Sequence, residues 1–102
     1  MRIMKIFSYE ESPYHPGKKI VTVNHDKFYL NGTKGSYNII QARVMGLSYA
    51  QYLRMCRDIY GAEIIGKKSM YPVAYFTSTN AIEELVKQLN LRATLILTKR
   101  GN

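Results

Sequence analysis

Apolar residues follow two different spacings along the chain, and each spacing predicts a kind of secondary structure. Short runs of alternating or β-branched residues predict strands. These runs lie at 1–7, 19–23, 27–31, 62–65, 71–76 and 91–98. Residues 24–26 tolerate turn geometry, so the runs at 19–23 and 27–31 are expected to form a hairpin. The stretch at 9–17 contains two prolines and a glycine and is expected to be a loop.

Helical spacing of apolar residues predicts three helices, at about 38–45, at 48–60 and from about Asn80. In the second helix, Ser48 is expected to be the N-cap, with Gln51 completing a capping box, and Gly61 ends the helix. Its apolar stripe is formed by Tyr49, Tyr52, Leu53, Cys56 and Tyr60. The third helix is expected to bury Ile82, Leu85, Val86 and Leu89, with Glu83 and Glu84 in its first turn.

These elements predict one small α+β domain over residues 1–102, because the chain is short and no linker or repeat divides it. We expect a mostly antiparallel sheet, a helix-turn-helix-like pair of helices and a C-terminal helix. A single cysteine excludes an internal disulfide and favours a reducing, cytoplasmic setting. No apolar run approaches the roughly 20 residues that span a bilayer, so no membrane partner is expected.

Composition adds a strong positive charge to this picture. Fifteen Lys and Arg against seven Asp and Glu give a formal net charge of +8 and a pI near 9.7. Positive charge speeds encounter with polyanions, although it also keeps small domains soluble. The nine tyrosines favour contact with bases or proteins without naming either partner.

Residues 38–77 resemble the winged helix-turn-helix domains that bind DNA. Ala42 lies where the two helices of that family cross closely, Gly46 lies at the turn, Leu47 follows as an apolar residue and Ser48 caps the second helix. A hairpin at 62–76 then follows, as the wing does in that family. Two positions depart from the family pattern: Gln41 replaces an apolar residue, and Tyr52 replaces a branched aliphatic one.

The resemblance implies a nucleic-acid-binding protein, with duplex DNA the favoured partner. Helix 48–60 would lie in the major groove as the reader helix, and hairpin 62–76 would be the wing. The side chains nearest base edges would be those of Tyr49, Gln51 and Arg54. The phosphate contacts would come from Arg43, Arg57, Lys67 and Lys68.

Other interpretations of the same residues remain open. Two helices joined at a glycine also make an ordinary α-hairpin, with its arginines on a solvated face. A compact, basic, tyrosine-rich domain would suit a small inhibitor or adaptor of phage or mobile-element type that binds a host enzyme or a ribonucleoprotein. A third possibility is a structural subunit that self-associates as a homodimer through a sheet edge at 1–9 or 91–98.

The titratable residues do not favour an enzyme, and no cofactor or metal is expected. His15 lies in a proline-bracketed loop, His25 in a tight turn, and Cys56 on the apolar stripe of its helix. No set of Cys and His has the spacing of a zinc site, and the turn at 32–35 lacks the context of a phosphate loop. Three residues are spaced too loosely to predict a metal-dependent nuclease: Asp58, Glu63 and Lys67.

Overall fold

The computed structural model describes residues 2–23, 37–66 and 72–100. Its elements follow in the order β1 (Phe7–Glu11), β2 (Lys19–Val23), α1 (Tyr37–Val44), α2 (Tyr49–Tyr60), β3 (Glu63–Ile65), β4 (Val73–Tyr75) and α3 (Thr79–Arg100). The fold is a small α+β domain with antiparallel strand pairs and a C-terminal helix, as the sequence predicts. Among the described helices, none is long and apolar enough to cross a membrane.

Two antiparallel strand pairs, β1–β2 and β3–β4, meet at a single point. The first pair runs in register from Phe7 opposite Val23 to Glu11 opposite Lys19. At its end, the Lys19 N–H donates to the Phe76 carbonyl at 2.7 Å, and the Phe76 N–H donates back to the Lys19 carbonyl at 2.9 Å. This isolated bridge sets the start of β2 beside the end of β4, so the two-stranded sheet that follows α2 is attached to the β1–β2 sheet.

One hydrophobic core draws side chains from every helix and from both strand pairs. Its largest fully buried members are Tyr52, Phe7, Phe76, Ile6, Ile82, Leu85 and Leu89. The predicted inner face of the last helix is confirmed at Ile82, Leu85 and Leu89, and Val86 lies at the margin of the core. The long helix α3 packs against the β1–β2 sheet and against α1.

Within the described ranges, residues 2–6 form no strand, and their backbone is hydrogen-bonded to side chains of α3. The Met4 N–H donates to Thr94 Oγ1 at 2.8 Å. The Ile6 and Phe7 N–H groups donate to Asn90 Oδ1 at 2.9 and 2.7 Å, and Asn90 Nδ2 donates to the Phe7 carbonyl at 3.0 Å. A side-chain amide offers the same donor and acceptor as a peptide, so Asn90 serves as the hydrogen-bond partner of the edge of β1.

The predicted strand at 1–7 is therefore wrong in position, since pairing begins only at Phe7 and continues to Glu11. That extension also shortens the loop predicted at 9–17. The strand at 19–23 is confirmed, but it pairs with β1. The predicted partner arm at 27–31 lies outside the described residues. The hairpin strands predicted at 62–65 and 71–76 form over shorter lengths, as β3 and β4.

The strand predicted at 91–98 is wrong, because α3 continues without a break to Arg100. No glycine or proline interrupts residues 79–100, and Ala93 extends the buried stripe of the helix. The threonines that favoured a strand are accommodated by the helix. Thr94 Oγ1 donates to the Asn90 carbonyl and Thr98 Oγ1 to the Thr94 carbonyl, both at 2.7 Å.

The start of α3 lies slightly earlier than the sequence predicts. Ser78 Oγ accepts a hydrogen bond from the Ala81 N–H at 3.2 Å, which is the geometry of an N-cap. Because the helix begins at Thr79, Glu83 and Glu84 lie beyond its first turn, contrary to the prediction.

Candidate nucleic-acid interface

A glycine turn joins α1 to α2. Gly46 has a φ of 72°, the left-handed conformation that favours glycine. Its N–H donates to the Arg43 carbonyl at 3.0 Å, and the Leu47 N–H donates to the Ala42 carbonyl at 2.9 Å. This pair of bonds is a Schellman motif, which ends α1 and reverses the chain. Ala42 is buried, as expected for a small residue where two helices pack closely.

The start of α2 is confirmed as a complete capping box. The Gln51 N–H donates to Ser48 Oγ at 3.2 Å, and the Ser48 N–H donates to Gln51 Oε1 at 2.9 Å. The helix ends at Gly61, whose φ of 70° is again left-handed. Local sequence signals thus set both ends of the proposed reader helix.

The outward face of α2 is largely polar. Tyr52, Leu53 and Cys56 are buried on its inner side. At 100° per residue, the opposite side carries the exposed residues Gln51, Arg54 and Asp58, and Arg57 lies on one flank. Of the predicted contact residues on this helix, Gln51, Arg54 and Arg57 therefore reach solvent together.

The two arginines of α2 differ in their pairing. Arg57 Nε donates to Asp58 Oδ1 at 2.8 Å. That hydrogen bond lowers the pKa of the Asp58 carboxyl, and the charge of Arg54 lowers the same pKa further. Among the described residues, Arg54 forms no ion pair, so its guanidinium is available to a ligand. Arg43, in the last turn of α1, is also exposed.

Tyr49 lies on the inner side of α2 and not among the outward residues. It is half-buried, and its hydroxyl donates to the Pro72 carbonyl, just before β4. The sequence contained the signal for this placement, since Tyr49 belongs to the same apolar stripe as Tyr52 and Cys56. The hydrogen bond ties the hairpin β3–β4 to the first turn of α2.

The base of the hairpin is braced by the loop that precedes β2. Lys18 forms an ion pair with Glu63 and lowers the pKa of its carboxyl. The rings of His15 and Tyr75 meet edge to face with centroids 4.7 Å apart. The hairpin position after α2 agrees with the predicted wing. Its predicted phosphate contacts, Lys67 and Lys68, lie outside the described residues.

A shallow apolar depression beside α2 was not predicted. Its lining combines Leu47, Met55 and Ile59 with the polar residues Gln51, Arg54 and Asp58. Ile59 is 70% exposed, which is unusual for so large an aliphatic side chain. Ile59 follows the buried Tyr52 by seven residues and the buried Cys56 by three, so helical spacing alone offered no signal of this exposure.

Two buried polar groups lie behind this face. Gln41 is fully buried, and neither polar atom of its side-chain amide has a hydrogen-bond partner among the described residues. Cys56 is also fully buried, and burial raises the pKa of its thiol to about 12, although a hydrogen bond with Tyr52 partly offsets this. Within the described ranges, no group of three His, Cys, Asp or Glu residues is placed to hold a metal ion.

The described residues thus bring Arg43, Gln51, Arg54 and Arg57 to the surface of the α1–α2 unit, with Tyr49 turned inward. No protein-family model, curated protein or solved structure matches this chain.

Proposed function

We propose that the chain binds duplex DNA, with α2 as the reader helix and the hairpin β3–β4 as the wing. The observation that carries this proposal is the hydrogen bond from the Tyr49 hydroxyl to the Pro72 carbonyl. It holds the start of β4 against the first turn of α2, which fixes the position of the hairpin relative to the proposed reader helix. This arrangement suits a protein that places a helix in the major groove of DNA and a hairpin over the adjacent phosphate backbone.

The chemistry of the outer face suits purine recognition. Arg54 is exposed, lies opposite the core and can make two hydrogen bonds to a guanine edge. Gln51 can bind an adenine edge, because its carbonyl oxygen keeps a second lone pair beyond the bond from Ser48. The phosphate contacts come from Arg43, Arg57, Lys67 and Lys68.

The test is binding to random duplex DNA over a series of salt concentrations, measured by fluorescence anisotropy. Arg54→Gln is compared with Arg92→Gln, since each removes one exposed, unpaired arginine, from α2 and α3 respectively. We expect Arg54→Gln to weaken binding about tenfold, because the variant loses the paired hydrogen bonds that Arg54 would make to guanine edges. Arg92→Gln should weaken binding less than threefold.

Two results would contradict the proposal. One is an absence of binding by the wild-type chain at about 50 mM salt, where a phosphate-binding surface of this charge should be occupied. The other is an equal loss of DNA affinity in Arg54→Gln and Arg92→Gln, which would mean that net charge and not the outer face of α2 determines binding.

A second candidate function, a small inhibitor or adaptor that binds another protein, is favoured by the depression beside α2. Leu47, Met55 and the exposed Ile59 supply an apolar centre, with Arg54 and Asp58 at its rim. Interfaces between proteins have this arrangement, whereas contacts with phosphates need no apolar centre. On this hypothesis the tagged chain recovers one stoichiometric protein from its host, and Ile59→Asp abolishes the recovery. Recovery of the chain alone would count against it. Neither candidate function involves catalysis.

A further inference from the structure

The two ends of the described chain lie side by side and form one exposed surface. Met4, Phe7 and Tyr9 are hydrogen-bonded in turn to Thr94, Asn90 and Glu83. The order of these bonds shows that the N-terminal segment runs antiparallel to α3. Residues up to 90 positions apart in the sequence are thereby brought into contact.

This surface, which we call the terminal patch, has an apolar centre. Ile3 is 47% exposed, Met4 is 37% exposed and Leu95 is 42% exposed. Leu91 is half-buried one helical turn before Leu95. Three of the five exposed large apolar side chains among the described residues therefore lie in the terminal patch.

The same patch is bordered by unpaired positive charge. Arg2 and Lys5 flank Ile3 and Met4 in the sequence, and Lys87 and Arg92 lie within one turn of Leu91 on α3. The four cations are Arg2, Lys5, Lys87 and Arg92, all exposed. Within the described residues, none of them forms an ion pair.

The acidic residues of α3 lie outside the patch and are already engaged. Glu83 accepts the Tyr9 hydroxyl at 2.8 Å, and Glu84 accepts a hydrogen bond from the Gln88 amide at 3.3 Å. Both precede Leu91 by about two helical turns. The terminal patch therefore combines apolar side chains with positive charge that this part of the chain does not neutralise.

A second copy of the chain does not fit this surface. Three partly exposed side chains offer far less than the roughly 800 Å² per partner that a stable interface buries. Four cations on each copy would also repel one another across a symmetric contact. The partner that fits must be anionic and must accept a small number of apolar side chains without a matching groove.

We propose that the terminal patch docks on an anionic phospholipid surface. Lys and Arg side chains lay their alkyl stems along the apolar boundary and place their charges among phosphate headgroups. Ile3, Met4 and Leu95 then enter the boundary between headgroups and acyl chains. The chain lies on the membrane and does not span it. The sequence predicted no membrane partner because the two segments of the patch, residues 2–5 and 87–95, are adjacent only after folding.

The test is co-sedimentation of the purified chain with vesicles at about 0.1 M salt. Vesicles of phosphatidylcholine alone are compared with vesicles that contain roughly one-third phosphatidylglycerol. We expect binding to the anionic vesicles only. Lys87→Gln with Arg92→Gln should weaken it about 25-fold, at about fivefold for each charge near the surface. The matched pair Arg43→Gln with Arg54→Gln removes two exposed charges elsewhere and should weaken it less than threefold.

A second comparison isolates the apolar contribution at constant net charge. Ile3→Gln with Leu95→Gln should weaken vesicle binding about tenfold, whereas Ile59→Gln, an exposed apolar position on α2, should not change it. All four positions of the two patch pairs are at least partly exposed, so the variants are expected to fold, and circular dichroism checks this.

Three outcomes would overturn the proposal. The first is an equal loss for the two pairs of charge variants, which would reduce vesicle binding to a general effect of net charge. The second is wild-type binding by Ile3→Gln with Leu95→Gln. The third is a parallel loss of duplex DNA binding and vesicle binding in Lys87→Gln with Arg92→Gln, which would assign the patch to nucleic acid. If Lys87→Gln with Arg92→Gln loses vesicle binding but keeps its DNA binding, the lipid-binding surface is separate from any DNA-binding surface. This conclusion does not depend on whether α2 is the element that binds DNA.

Discussion

Replacing Asn90 by alanine should detach the N-terminal segment from α3. The Asn90 side chain accepts hydrogen bonds from the Ile6 and Phe7 N–H groups and donates one to the Phe7 carbonyl. All three bonds are buried. Alanine preserves the helix, because it has the highest helix propensity of all residues, and it removes every one of these partners.

The expected loss follows from the three buried hydrogen bonds that the substitution removes. Removing one partner of a buried hydrogen bond costs about 1–3 kcal/mol. The exposed residues before Ile6 allow water to reach part of the gap, which favours the lower end of that range. We therefore expect Asn90→Ala to lower the free energy of unfolding by about 3 kcal/mol. A domain of this size has a total of about 5–15 kcal/mol, so the variant should still fold.

Urea unfolding followed by circular dichroism measures the change, and Gln88→Ala provides the control. Gln88 is also an amide on α3, but its single bond to Glu84 is exposed. Its loss should cost less than about 0.5 kcal/mol. At a slope near 1.5 kcal/mol per molar urea, the Asn90→Ala midpoint should fall by about 2 M. Amide hydrogen exchange at Ile6 and Phe7 should accelerate more than exchange at Val21.

A urea midpoint of Asn90→Ala within about 0.3 M of the wild-type midpoint, at equal slope, would contradict this prediction. So would unchanged protection of Ile6 and Phe7 from exchange while the rest of the domain loses stability. The first result would mean that water replaces the amide at no cost. The second would mean that the segment is held by its apolar contacts alone.

Three further predictions concern single buried or paired groups. Gln41→Met should raise the free energy of unfolding by about 1–2 kcal/mol, because a side chain of similar length replaces a buried amide that has no hydrogen-bond partner among the described residues. An unchanged urea midpoint would contradict this prediction. Burial raises the pKa of the Cys56 thiol to about 12, so very little reactive thiolate is present in the folded chain at about pH 8. A thiol reagent should therefore label Cys56 at least about a thousandfold more slowly in the folded chain than in urea. Rapid labelling of the folded chain would contradict the burial of Cys56. Lys18 lowers the pKa of folded Glu63, so their ion pair stabilises the fold above the unfolded carboxyl pKa of about 4.3 and is lost as pH falls below it. Glu63→Gln should therefore lower the melting temperature slightly at pH 6 but not near pH 3, and an equal effect at both pH values would argue against the pair.

The helix boundaries set by local signals were predictable from the sequence. Ser48 and Gln51 form the expected capping box, and Gly46 and Gly61 adopt the expected left-handed conformation. Each of these interactions joins residues only a few positions apart, so that the residue types alone specify the geometry. The same holds for the hairpin after α2, whose strands are separated by a short connection.

The interactions between distant residues were not predictable in this way. Residues 91–98 combine leucines with threonines and suit either a strand or a helix by composition. The choice depends on Ala93 and Leu97 packing against the core and on Thr94 bonding to the Asn90 carbonyl. Likewise, β1 begins at Phe7 because Asn90, 83 positions away, binds the preceding backbone. No local pattern specifies these contacts.

The candidate site likewise contains some positions that the sequence predicts and some contacts that it does not. The outward positions of Gln51 and Arg54 follow from helical periodicity. The pairing of Arg57 with its neighbour Asp58, and the bond from Tyr49 to Pro72, depend on side-chain conformation and on the path of the hairpin. The prediction that Tyr49 reads bases therefore gave too little weight to its place on the apolar stripe.

The hydrogen bonds between Asn90 and the backbone of Ile6 and Phe7 also determine when the domain can complete its fold during synthesis. Ile6 and its partner are separated by 84 residues. At about 5–20 residues per second, the ribosome adds Asn90 about 4–17 s after Ile6. During that interval α1 and α2 can form from local contacts, while Ile6 and Phe7 remain without their native cover. The nascent chain therefore carries an exposed apolar segment at least until Asn90 has been added, and a chaperone would bind the segment in that period.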